Sequence, residues 1–172
     1  MHRRTHAAPP PIASPRVGAD PTIATDPDVQ EFHRYWLGLR RGRRYPSRRD
    51  IDPGAIPHLL PNVLLLDVHR EPLDFEYRLI GDEVISRLGA QKGKRVREAC
   101  LINVSSSAYR NYCAVVETGL PQFLEGPASV ACLDGRRIVL SRVHCPLSSD
   151  GETIDKIFSY VAFLPWPAQE TG

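Results

Sequence analysis

Ile154-Asp-Lys-Ile-Phe-Ser-Tyr-Val-Ala-Phe-Leu164 is the stretch whose reading decides the fold. Its β-branched and aromatic content is that of a strand. Ser148-Ser-Asp-Gly151 precedes it as a turn, and Pro165 and Pro167 stop it. Side chains alternate along a strand. Ile154, Lys156, Phe158, Tyr160 and Ala162 therefore share one face, and Ile157, Ser159, Val161 and Phe163 the other. Both faces carry large apolar groups. A strand at a solvated edge shows one polar face, so this strand is predicted to lie mid-sheet and to be covered on both sides.

Upstream, Asp134-Gly135 is a hairpin turn between a strand over about 122–133 and another over 136–146. The last three strands thus form a meander. Before them, Tyr109, Tyr112, Cys113 and Val116 recur on one face of a helix over about 106–118. Ser105-Ser-Ser107 reads as its cap, and Gly119 and Pro121 end it. Val63–Val68 and Phe75–Ile80 read as an antiparallel hairpin, turned by Glu71-Pro72. Phe75, Tyr77 and Leu79 are predicted on one face of its second strand, Glu76 and Arg78 on the other. A short helix over 83–88 follows, ended by Gly89.

At the start, Asp26 caps a helix that opens with Pro27, where a missing N–H costs nothing. Val29, Phe32, Trp36 and Leu39 make one stripe along it, with Tyr35 beside them and Gly42 as its stop. The expected fold class is α+β: a five-stranded antiparallel sheet, helices between strands two and three, and an N-terminal amphipathic helix. Alternating βα crossovers are missing, which argues against a parallel doubly wound sheet. Residues 1–24, rich in Pro and Ala, are expected to be a disordered tail. Residues 25–167 are expected to form one domain and 168–172 a short C-terminal tail.

Composition agrees with one domain of 172 residues, 42% hydrophobic. The net charge of +2 is unevenly spread. Residues 1–49 carry +6 and the remainder −4. Cys100, Cys113, Cys132 and Cys145 include no C-x-x-C pair and read as reduced thiols of a cytoplasmic protein. No apolar run is long enough for a membrane span, and the charged first residues lack the apolar region of a signal peptide.

Several separate motifs resemble those of the PAS domain superfamily, and more narrowly the short single-domain PAS proteins of alphaproteobacteria. They are Trp36-Leu-Gly-Leu-Arg40, Pro46-Ser-Arg-Arg-Asp-Ile-Asp-Pro53, Leu59-Leu-Pro61, Tyr77-Arg-Leu-Ile-Gly81 and Pro146-Leu-Ser-Ser-Asp-Gly151. The likeness spans about residues 27–164. It implies two strands, a run of short helices and three strands, with the last strand beside the first. It also implies a signalling module that senses a small ligand or joins proteins. With one domain, output passes through a partner such as a two-component protein. In such a fold the cavity lies between the helices and the inner sheet face, which nominates Tyr77, Leu79, Tyr109, Tyr112 and Val116 as pocket residues. An N-terminal helix of this kind often forms a dimer contact, which nominates Val29, Phe32, Trp36 and Leu39 for a homodimer.

Other chemistry finds little support. Gly89-Ala-Gln-Lys-Gly-Lys-Arg95 has the wrong spacing for a phosphate loop and lacks its hydroxyl. His144 and Cys145 are adjacent, so they point to opposite faces of a strand rather than to one metal. His58, His69 and His144 are the histidines available to a haem, and C-x-x-C-H is missing. Cys100 lies in Glu-Ala-Cys-Leu-Ile, not in the context of a photoreactive flavin site. No cofactor, metal site or catalytic residue is therefore assigned, and an enzyme is not expected. The alternative function is a basic DNA-binding regulator using Arg40, Arg41, Arg43, Arg44, Arg48 and Arg49. Cations at a helix C-terminus followed by an Asp-rich connector account for those arginines more simply, and specific nucleic-acid binding is not expected.

Overall fold

The structure is a computed structural model that describes residues 14–98, 106–128 and 131–167. Cys100, Ser105 and the tail residues 1–13 and 168–172, on which some expectations fall, lie outside the described residues.

Pro27–Leu39 forms α1. The Asp26 carboxylate accepts from the backbone N–H of Asp28 and of Val29, at 3.0 and 3.2 Å, so two of the helix's orphan donors are satisfied. The helix stops at Leu39, short of Gly42. Arg41 and Gly42 take positive φ, 47° and 81°, and turn the chain away.

Val63–His69 (β2) and Asp74–Ile80 (β3) form the hairpin. Asp82–Leu88 is α2 and Ser107–Thr118 is α3. The Ser106 hydroxyl accepts from Tyr109 N at 3.1 Å and caps α3, and Gly119 closes it in the left-handed region at φ 70°. Gln122–Pro127 (β4), Val139–Leu147 (β5) and Lys156–Leu164 (β6) complete the meander. The ladder of β4 and β5 ends at Pro127 and Val139, well before the Asp134-Gly135 turn. Of the predicted strand over 122–133, residues 129–130 lie outside the described residues.

The sheet is antiparallel with order β1-β4-β5-β6-β2-β3. Among the described residues it has six strands rather than five. The added one, β1, is Arg16–Gly18, from the stretch expected to be a tail. Composition alone hides it, because its order comes from tertiary contact. Glu125 on β4 accepts from Thr25 N (2.7 Å) and pairs with Arg16 (2.6 Å), which holds this segment along β4.

β6 lies between β5 and β2, as its two apolar faces require. On the outer face, Phe158, Tyr160 and Ala162 pack with Val29, Phe32 and Trp36 of α1. On the inner face, Ile157 and Val161 pack with Tyr77, Tyr112 and Val115. The free edge of β3 is not bare. Tyr77 N–H donates to Lys94 O (3.1 Å) and Val96 N–H to Phe75 O (2.8 Å), so the connector after α2 covers that edge.

The recurring motifs meet one another as joints. Trp36 Nε1 donates to Pro146 O (2.9 Å), and Ser148 N–H to Pro46 O (3.0 Å). Gly81 N–H donates to Val63 O (2.8 Å), and a Cβ at Gly81 would collide with the carbonyl of Pro61. The glycine is needed there for close backbone approach. Among the described residues, no helix is long and apolar enough to cross a membrane.

Candidate functional site

The inner sheet face, α2 and α3 do not close completely on one another. A cavity of about 50 Å³ remains between them. Its walls are mostly apolar: Leu64, Ile80, Val84, Leu88, Leu140 and Val161, with Ala108 of α3 facing in from the helix side. Four polar side chains also line it, those of Tyr77, Gln91, Tyr112 and Arg142.

Arg142 stands on β5 between Leu140 and His144, on the inner face of the sheet. It is only 8% exposed. Its Nε is buried without a hydrogen-bond partner, as is Gln91 Oε1. Burial lowers the guanidinium pKa to about 10, while Tyr112 and Tyr77 act in the opposite direction. The group stays cationic at neutral pH. Burial also pushes the Tyr112 hydroxyl up to about 12 and that of Tyr77 well above its ordinary value. Both are therefore neutral phenols. No carboxylate among the described residues pairs with Arg142.

Below this group lies His144, fully buried. Its Nδ1 is 2.8 Å from Ser159 Oγ of β6, and its ring meets that of Tyr112 edge to face. Burial, and then the neighbouring Arg142, hold its pKa well below the ordinary value, so the imidazole is neutral. Cys145, next along β5, points to the opposite face and packs under α1. The adjacent His and Cys are thus separated by the sheet, as alternation demands. His58 and His69 lie away from the cavity lining, each 3.0 Å from a carboxylate, Glu31 and Glu76.

Of the five pocket residues expected from sequence, Tyr77 and Tyr112 line the cavity and the other three do not. Tyr109, in the first turn of α3, turns away from the cavity and packs against Phe75, with its hydroxyl donating to Leu73 O at 2.9 Å. Val116 is only partly buried and sits against the same core. Leu79 is 42% exposed. The reason is a register shift between β2 and β3: Leu66 pairs with Tyr77, but Leu65 pairs with Leu79. Arg78 is the extra residue. Past this bulge the alternation inverts, so Leu79 turns outward and Ile80 inward.

The α1 stripe is placed differently from a free contact surface. Val29, Phe32, Trp36 and Leu39 are all buried within a single chain. The arginine run is partly committed to ending α1. Arg43 donates to Leu39 O and pairs with Asp50 (2.8 Å), and Arg40 lies over the Trp36 ring.

Sequence reasoning missed Arg142 and Gln91. The signal for Arg142 was present: a cation at a strand position whose neighbours two residues either side are Leu140 and His144, next to a central strand. Gln91 had no such signal, because it follows Gly89 in an irregular connector whose path tertiary contacts set.

A family model described as a PAS domain matches residues 24–158. No curated protein and no solved structure matches the chain.

Proposed function

The chain belongs to the PAS domain family, and from that premise we propose that it is a cytoplasmic signalling module that binds a small molecule in the cavity between α2, α3 and the sheet. Occupancy would pass to a signalling protein partner of the two-component kind. The observation that supports this reading is the cavity itself: apolar walls with a few convergent polar groups, two of which hold unpartnered buried atoms. That is the make-up of a small-molecule site, and buried polar atoms in a filled core normally find partners.

The test is a spectroscopic titration of the isotope-labelled protein with a small-molecule extract of the source cells. Saturable shifts at Ala108, Tyr112 and Leu140 are expected, and Ala108→Phe, which fills the cavity, should abolish them while the protein still folds. Shifts that survive Ala108→Phe would place binding elsewhere. The alternative of a DNA-binding regulator has less support, since Arg40 and Arg43 are engaged at the end of α1.

A further inference from the structure

We infer that the ligand of this cavity is a short-chain carboxylate, with Arg142 as its counter-charge and the Tyr112 hydroxyl as a second donor. The inference rests on the cavity being a binding site and goes further in assigning the ligand's charge. Taking a cation out of water is costly unless a partner of opposite charge is present. Arg142 has no such partner among the described residues, yet its side chain lines the cavity. The two tyrosines that share the lining with it, Tyr77 and Tyr112, are neutral. The Tyr112 hydroxyl shares the cavity lining with Arg142 and, as a neutral phenol, can donate to an oxygen of the ligand. Two donors of this kind suit the two oxygens of a carboxylate.

The remaining walls set the body of the ligand. Leu64, Val84, Leu88 and Val161 offer no polar partner, so the part of the anion that lies against them is apolar. A cavity of about 50 Å³ has room for on the order of four waters. That matches a carboxylate with a short aliphatic chain.

Butyrate and butyramide are the probes, since they share a shape and differ in charge. Each is titrated into the isotope-labelled full chain at constant ionic strength, with sodium chloride as the balancing salt. Butyrate should give saturable amide shifts at Arg142, Tyr112 and Gln91, and butyramide should bind at least about tenfold more weakly, the factor a charge-assisted hydrogen bond is worth. Arg142→Met should lose butyrate binding by a similar factor while keeping a cooperative thermal transition, and Arg142→Lys should retain part of it. If Arg142→Met does not fold, the two probes and Arg142→Lys decide the matter. Equal binding of the two probes, or unchanged butyrate affinity in an Arg142 variant, would overturn the charge assignment and leave the cavity as a binding site. No saturable shift with either probe would also overturn it, and the cavity reading would then stand or fall on the Ala108→Phe comparison.

Discussion

The imidazole of His144 meets the ring of Tyr112 at 67°, with centroids 4.6 Å apart. This contact ties β5 to α3 through Tyr112, which also lines the cavity. His144 is fully buried here, and burying it in the neutral form gives the fold a dependence on pH. Burial and Arg142 lower the His144 pKa in the folded protein. The unfolded chain binds a proton near the ordinary value of about 6.5. Below that pH the unfolded state holds more protons, so stability falls as pH falls. Denaturant unfolding should show a loss approaching about 1.4 kcal/mol per pH unit from this group below pH 6.5. His144→Gln should remove that slope, leaving a smaller one from His33, whose pKa is also lowered, by burial and by Arg34. An unchanged slope in His144→Gln would contradict a neutral buried imidazole.

Trp36 covers the outer face of the sheet and donates to Pro146 O. Trp36→Phe keeps most of the apolar cover but orphans that carbonyl. It should cost about 1–3 kcal/mol in denaturant unfolding, and Trp36→Ala about 3–5 kcal/mol. A Trp36→Phe variant as stable as wild type would show that the hydrogen bond contributes nothing. Light scattering on the wild type reports separately whether the chain forms a homodimer, and a dimer would have to use a surface other than the buried stripe.

Glu125 gathers donors from three parts of the chain: Thr25 N, Ser141 Oγ at 2.8 Å, and Arg16. Burial alone would raise its pKa, but these donors outweigh it and the net shift is downward. The stabilisation is present above the ordinary carboxylate pKa and is lost as pH falls through the lower folded value. Glu125→Ala should release β1 first. Hydrogen exchange should then accelerate at Val17 and Gly18 while β5 and β6 stay protected. Uniform acceleration across the sheet would contradict a local role.

Much of the fold was readable because its main determinants are periodic. The two apolar faces of 154–164 required a central strand, and the Val29 stripe required a covered face. The recurring motifs were legible as a family pattern, though not as joints, because sequence does not show that Trp36 reaches Pro146 or that Gly81 lies against Pro61. The cavity is legible in the sequence only in part. Tyr77 and Tyr112 follow from alternation and helical spacing. Leu79 failed because one bulge residue, Arg78, inverts every later position on β3. For Arg142 the sequence offers only its apolar strand neighbours, and its burial beside the cavity depends on contacts from other elements.

Gly81→Ala tests the joint between β3 and the turn before β2. The added methyl meets the Pro61 carbonyl, so the backbone must shift. A loss of about 1–3 kcal/mol, the usual range for overpacking, is expected in denaturant unfolding. A neutral substitution would show that the two segments are free to separate.

The central claim is that the inner cavity holds a small molecule. Native mass spectrometry of the full chain, purified gently from its source cells, tests it most directly. Wild type should carry an added small mass that Ala108→Phe lacks, with both variants cooperatively folded. A wild type that shows only the bare chain mass, together with an Ala108→Phe variant destabilised by about 1–3 kcal/mol as in a filled core, would contradict it.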